Sequence, residues 1–283
     1  MFEKERNRHT PFKRFWGSAV LETLHLLYCG NDDAYEEILL SLHSVMRHTK
    51  RRLGVYLLTA IIDRYDGAPM KQAKAEYLSA LLRGRGDGSY LVFKDMTDVY
   101  EEAFGDMDSV ALQADPYFLI RLLADKANLP QRILYLDCDT VAAGDVGQIF
   151  DHDLCGLPFG AAGECFASGI PLPGVFNFGV LLFDMDAAVR EGIFQRARDA
   201  LKGRKHILSV GLSDAFLKTK RARLPRRFNE QKGLREDTVL RHFATTLSFF
   251  PYPHLKKHKS FERQQLSTKE RALFGKVIDR FYF

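Results

Sequence analysis

Two aspartates one residue apart, Asp137 and Asp139, close the apolar run in ILYLDCDTV, residues 133–141. In a strand, positions i and i+2 share a face, so the two carboxylates point the same way and Cys138 points opposite. Carboxylates held side by side repel unless a cation neutralises them. A hard divalent ion such as Mn²⁺ or Mg²⁺ suits such a pair together with substrate phosphates. The plainer reading is a turn in which Asp139 bonds neighbouring backbone. The buried strand leading into the pair keeps both readings open.

The flanking pattern predicts what must position the pair. HLLYC (25–29), GVYLLTAII (54–62), SYLVFKDM (89–96), ILYLDCDTV and FNFGVLLFDMD (176–186) read as strands. Between and after them, residues 30–49, 69–83, 109–129 and 187–202 carry helical periodicity. Gly and Pro cluster from 156 to 174, which predicts a loop, and residues 203–283 read as basic, aromatic and irregular. Strands alternating with helices predict an α/β fold with a mostly parallel sheet. Such sheets bind ligands at the carboxyl ends of their strands, where Asp137 and Asp139 stand.

Composition narrows the partners. Hydrophobic residues make up 46% and aromatics 12% of the 283 residues, ample for a packed core, which excludes a disordered or collagen-like chain. No run reaches the roughly 18–20 uncharged apolar residues of a membrane span. The leader MFEKERNRHTPFKRFWG has no apolar segment of the secretory kind. The four cysteines, Cys29, Cys138, Cys155 and Cys165, form no CxxC pair and read as reduced thiols of a cytoplasmic protein. The net charge of +5 hides a split. Residues 201–283 hold 20 basic and 7 acidic side chains, a net +13, against −8 for residues 1–200. A basic segment of that kind suits an anionic partner: nucleic acid, anionic lipid or a phosphorylated small molecule.

Six blocks in order resemble glycosyltransferase family 8, enzymes of the GT-A fold with a DxD motif. ILYLDCDTV is similar to the signature strand, and HLLYCGNDDAYEEILLSLHSV to the first strand, nucleotide loop and first helix. DPYFLIRLLADKANLPQ, FNFGVLLFDMD, LPRRFNEQ and RHFATTLSFFPYPHLKKHKSFE resemble the later landmarks. The likeness implies a GT-A domain over residues 25–262, a leader over 1–24 and a helical tail over 263–283. It implies a metal-dependent, retaining transfer of a hexose, glucose or galactose, from a UDP-sugar to a hydroxyl of a saccharide or glycolipid. Bacterial members extend lipopolysaccharide or capsule sugars.

Residue by residue, the resemblance implies that Cys29, Gly30, Asn31, Asp32 and Asp33 hold uracil and ribose. Asp137 and Asp139, with Cys138 between them, would ligate Mn²⁺ or Mg²⁺, and His242 would be the third ligand. Arg121 would meet the phosphates or donor sugar, and Asn177 and Gly179 the sugar hydroxyls. Lys259 would meet the diphosphate, with Lys256 and Lys257 as competitors, because HKSFE departs from the family's KPW pattern. Many members carry a DQD triplet where this chain has Leu212, Ser213 and Asp214. That departure opens the alternative of a weakly active or non-catalytic member that binds nucleotide sugar or an anionic partner. Glu164 and Asp214 are the outside candidates for a covalent step.

Rival readings have specific features for and against them. A nucleotidyltransferase would carry a basic Gly-rich first loop, whereas GNDDAY is acidic. A nucleic-acid binder would use RARLPRRF and KKHK, yet no nucleic-acid-binding motif accompanies them. The tail KERALFGKVIDRFYF could rest on an anionic membrane face, although a stripe of Leu273, Phe274, Val277 and Phe281 more often packs on the domain. The residues carry no reading of oligomeric state.

Overall fold

The computed structural model describes residues 22–63, 67–106, 116–165, 171–201, 216, 219–244, 246–248, 254–256 and 266–274. The first half alternates β1 (Leu24–Cys29), α1 (Tyr35–His48), β2 (Leu53–Thr59), α2 (Gln72–Arg83), β3 (Tyr90–Asp95) and α3 (Thr97–Phe104). A 3₁₀ helix (Pro116–Lys126) leads to β4 (Arg132–Leu136), β5 (Thr140–Ala142) and α4 (Gly147–Phe150). Then come β6 (Phe159–Cys165), β7 (Pro171–Asp184), α5 (Met185–Arg190), α6 (Ile193–Leu201) and β8 (Ala222–Arg223). A 3₁₀ turn (Arg226–Phe228) precedes β9 (Leu240–His242), β10 (Thr246–Ser248) and β11 (His254–Lys256).

The main sheet runs β3-β2-β1-β4-β7-β6-β8. β3, β2, β1 and β4 are parallel, β7 is antiparallel to both β4 and β6, and β8 runs parallel to β6. This is the mostly parallel α/β sheet that the alternating pattern predicts. Its central strands are buried on both faces, which is why they read as continuous apolar runs. Leu26, Leu57, Leu134 and Leu182 pack on one face, against Ile38, Leu42 and Val45 of α1 and Leu78 and Leu82 of α2. Leu27, Leu58, Tyr135 and Leu181 pack on the other, against Ile120 and Leu123 of the long 3₁₀ helix, Tyr100 of α3 and Phe194 of α6.

Three expectations change. The Gly- and Pro-rich stretch 156–174 is not one loop, because β6 and the start of β7 form there. Gly156, at φ +74°, does turn the chain, but Gly160 serves close approach: a Cβ there would lie 2.9 Å from Leu154 Cδ2 and 3.0 Å from Leu224 Cδ2. Register shifts on either side of Gly163 mark the strand as bulged, a usual place for glycine in a sheet. The helical stretch 187–202 is two helices, α5 and α6. Gly192, at φ +63°, takes the left-handed conformation that ends the first of them. The helix expected over 109–129 is, from Pro116 on, wound as 3₁₀.

The chain's end is docked on the strand that carries His242. Ser267 and Glu270 form a reciprocal cap at the start of the helical stretch 268–274. Ser267 N–H donates to Glu270 Oε2 (2.9 Å), and Glu270 N–H donates to Ser267 Oγ (3.3 Å). Glu270 Oε1 also accepts from Arg241 Nε at 2.8 Å, and both side chains are buried. Leu266 and Phe274 join Leu40, Val141 and Phe243 in a small separate core, with Leu273 packed against it. The part of the tail stripe that is described therefore packs on the domain. Val277 and Phe281 lie outside the described residues.

Burial pushes the Glu270 carboxyl up, but its hydrogen bonds from Arg241 and Ser267 outweigh this and hold it below the usual carboxylate value. A depressed carboxylate stabilises the fold above its unfolded pKa, and that stability is lost as pH falls through the folded value. Glu270→Ala, which leaves Arg241 buried and unpaired, is expected to destabilise the protein by about 3 kcal/mol at neutral pH. In urea melts at a series of pH values the gap to the unaltered protein should narrow below the ordinary glutamate range; a gap that widens on acidification would contradict the assignment.

Candidate active site

Strand β4 stops at Leu136, and the chain turns at once. Thr140 N–H and Thr140 Oγ1 both donate to Asp137 O, at 3.2 and 2.8 Å. The strand expected over 133–141 thus ends before the pair, and a turn resting on the Asp137 carbonyl, rather than a shared strand face, brings both carboxylates to one side. Cys138 points away, with its thiol donating to Glu37 Oε2 of α1 at 3.2 Å.

Two antiparallel pairings complete the site. β7 runs beside β4, and Asp137 N–H donates to Gly179 O at 2.8 Å. β5 pairs with β9 so that Thr140 lies opposite His242, and Phe243 N–H donates to Asp139 O at 2.9 Å. His242 Nε2 thereby lies 3.1 Å from Asp139 Oδ1 and 3.6 Å from Asp137 Oδ2. The ligand atoms of these three residues all fall within 4.8 Å of one another.

The electrostatics favour a cation between them. Asp137 Oδ1 accepts from Arg121 Nη2 at 2.9 Å and from the Tyr135 hydroxyl, which leaves Oδ2 facing His242. Asp139 Oδ1 is buried and accepts no hydrogen bond. Burial pushes the Asp139 carboxyl up, but the positive charge of a protonated His242 beside it outweighs this and holds the group below the usual range. With His242 Nε2 3.1 and 3.6 Å from the two carboxylate oxygens, one small divalent cation could be held by all three side chains. Gly179 forms the floor of the cradle. A Cβ there would run into His242 Cε1 and lie 2.7 Å from Asp137 Oδ2. An orphaned carboxylate oxygen, a mixed oxygen and imidazole donor set and a cradle without a side chain fit Mn²⁺ or Mg²⁺.

Arg121 is buried among its apolar neighbours, as its sequence context suggests, and its three guanidinium nitrogens are all engaged. Nε donates to Phe118 O (3.0 Å) and Nη1 to Phe178 O (3.0 Å), while Nη2 pairs with Asp137. Its plane also covers the Phe118 and Tyr135 rings at 3.6 and 4.6 Å. Burial opposes its charge, and the neighbouring Asp137 more than offsets that. In this structure Arg121 holds a carboxylate of the cluster rather than reaching outward.

The first loop adjoins this cluster because β1 is the parallel neighbour of β4. Burial pushes the Cys29 thiol up to about 12, and the charges nearest it are Arg121 and Asp137. Asn31 caps the turn that follows, its Oδ1 accepting from Ala34 N–H at 3.2 Å, and its Nδ2 donates to Asp33 Oδ2 at 3.3 Å. Asp32 is bridged by Lys71 and Lys74 of the α2 entry at 3.1 and 3.0 Å, and Asp33 is exposed. Gly30 lets the turn close, since a Cβ there would sit 3.0 Å from Ala34 Cβ. Asn177 is buried on β7, and its Oδ1 accepts from Gly179 N–H and from Asn229 Nδ2, each at 2.9 Å.

Glu164 lies on β6 and Lys256 on β11. Ser213, Asp214, Lys257 and Lys259 lie outside the described residues. The reading of the sequence missed two residues that touch the cluster. Tyr135 had a legible signal, two positions before Asp137 on the same strand. Asn229 lay within LPRRFNEQ with no feature to single it out.

Gly179→Ala is expected to weaken Mn²⁺ binding by at least about tenfold while leaving the far-UV circular dichroism unchanged. A Mn²⁺ titration followed by electron paramagnetic resonance measures it; unaltered affinity would show that His242 and Asp137 yield to the methyl without cost.

Comparison with known proteins agrees with this geometry. The family model described as glycosyl transferase family 8 matches residues 25–249. No curated protein matches the sequence. Among solved structures, the chain is similar to apo GlyE of Streptococcus pneumoniae TIGR4, with a TM-score of 0.63 and 16% identity over 92% of this chain. It spans only 63% of the GlyE chain. It is similar to galactosyltransferase LgtC, solved with donor and acceptor sugar analogues, with a TM-score of 0.62, 17% identity, and 91% of this chain and 96% of that one covered. Mouse xyloside xylosyltransferase 1 is more distant, with a TM-score of 0.52, 17% identity, and 78% and 96% covered. At these identities the structures speak for the shared GT-A fold, and the family model, which spans most of the sequence, shows that this chain belongs to glycosyl transferase family 8.

Proposed function

We propose that this glycosyltransferase uses Mn²⁺ or Mg²⁺ to move a hexose, glucose or galactose, from a UDP-sugar to a hydroxyl of a saccharide or glycolipid, with retention at the anomeric carbon. The observation that carries the reading is the convergence of Asp137 Oδ2, Asp139 Oδ1 and His242 Nε2 at the carboxyl end of β4, beside the first loop. When bound, the cation would supply Lewis-acid stabilisation of the departing diphosphate.

The chain's own residues have separable tasks in this reading. Asp137, Asp139 and His242 hold the cation. Arg121 and Tyr135 fix Asp137 so that one oxygen remains for it. The loop Cys29–Asp33 receives the nucleoside, with Asp33 the exposed carboxylate and Asp32 tied to α2. Lys259 would add positive charge at the diphosphate. As the sugar leaves, positive charge develops at C1, and the acceptor hydroxyl attacks from the face the diphosphate vacates. Glu164, Ser213 and Asp214 remain candidates at that face.

The Leu212-Ser213-Asp214 departure favours a second outcome, a member that binds donor but turns over slowly. Among the described residues no helix is long and apolar enough to cross a membrane. The reading takes the enzyme as cytoplasmic, with an anionic membrane surface as a further contact and nucleic acid excluded as a partner.

Incubation with UDP-glucose, UDP-galactose and UDP-xylose plus Mn²⁺, followed for UDP release, tests donor choice and activity together. Asp139→Ala is expected to cut release by at least about a hundredfold, and UDP should raise the melting temperature only when the metal is present. Equal shifts with and without metal would sink the metal bridge. Proton NMR of the product should show the donor's anomeric configuration; clean inversion would overturn same-face attack.

A further inference from the structure

We propose that Asn229, oriented by Asn177, fixes the tautomer of His242, so that a main-chain N–H of β7 decides which ring nitrogen keeps its proton and which gives its lone pair to the cation. Amide oxygen and nitrogen cannot be told apart by shape, so the assignment has to start from a donor of known identity. Gly179 N–H is such a donor, and its partner at 2.9 Å must be the oxygen of Asn177. That oxygen also receives Asn229 at 2.9 Å, so the group of Asn229 turned toward it is the NH₂. The other end of the Asn229 amide is then the oxygen, and it lies 3.1 Å from His242 Nδ1. An acceptor at that position requires a hydrogen on Nδ1, so that a cation entering beside Asp137 and Asp139 needs to displace a proton only from Nε2 to find its lone pair.

Burial makes the relay binding. Asn229 is 1%, His242 3% and Asn177 8% exposed, so solvent has little access to substitute for a missing partner. An amide at position 229 also orients the imidazole without adding a third negative charge to a cluster that already holds two. Asn177, which the family resemblance points toward sugar hydroxyls, here turns its oxygen to Gly179 N–H and to Asn229, the neighbour of His242. Asn229 and Asn177 are therefore positioning residues. The inference rests on the metal reading of the site.

The test uses the full chain and Mn²⁺ alone, with free ion followed by electron paramagnetic resonance. Asn229→Ala should bind Mn²⁺ about 10–100-fold more weakly. Asn229→Asp, which keeps an acceptor for Nδ1–H but loses the NH₂ that Asn177 receives, should lose clearly less affinity than Asn229→Ala. With Cd²⁺ in place of Mn²⁺, nitrogen-15 histidine spectra should show a slowly exchanging Nδ1–H on His242 that disappears in Asn229→Ala. Equal Mn²⁺ affinity in Asn229→Ala and the unaltered protein overturns the relay and leaves the metal site standing. Equal losses in Asn229→Ala and Asn229→Asp also overturn it, because they mark a packing role. A Cd²⁺-loaded unaltered protein without Nδ1–H on His242 overturns it with no variant needed. Failure of the unaltered chain to take up Mn²⁺ sinks the metal reading and the relay together.

Discussion

Three atoms that could ligate a cation meet at the end of β4: Asp137 Oδ2, Asp139 Oδ1 and His242 Nε2. In a partly buried setting two carboxylates held so close are costly, because like charges repel. The rest of the structure can be read as what keeps them there. The β4–β7 ladder and the β5–β9 pair fix the three backbones. Arg121 and Tyr135 absorb the spare oxygen of Asp137, and Asn229 holds the far side of the imidazole. Gly179 contributes empty space, the one thing a side chain could not provide.

The architecture divides this labour. The parallel half of the sheet delivers the first loop and Asp137 to the same edge, since β1 and β4 are parallel neighbours. The antiparallel half delivers Gly179 and Asn177 back alongside them. The C-terminal segment closes the third side with His242 and is itself anchored by Arg241 and Glu270. Rigidity therefore comes from three directions, which suits a site whose charges would otherwise spread apart.

The charge split between the two parts of the chain also takes a more specific form. Several basic side chains of the C-terminal third have partners inside the protein. Arg241 pairs with Glu270 and Arg226 with Glu230, while Arg221 lies over the Phe176 ring and Arg227 over Phe228. A share of the +13 is thus structural. In the proposed reading, part of the remainder faces the diphosphate.

The sequence by itself determined the α/β class, the central strands and their burial, and Asp137 and Asp139 as a candidate cation pair, whereas His242 entered only with the family resemblance. Those properties are local, since period-2 and period-3.6 patterns and an acidic pair after an apolar strand are visible within a few residues. Stretch 156–174 misled because glycine signals turns locally, whereas Gly160 answers to the side chains of Leu154 and Leu224, and Gly163 to a bulge in β6. Arg121 was legible as a buried, partnered arginine, but its partner was not. Only the tertiary structure decided that Arg121 grips Asp137, that Gly179 floors the cradle, and that Asn177 and Asn229 line up behind His242. Each of those is a contact between residues at least 13 positions apart, set by strand order and register, and no spacing along the chain encodes them.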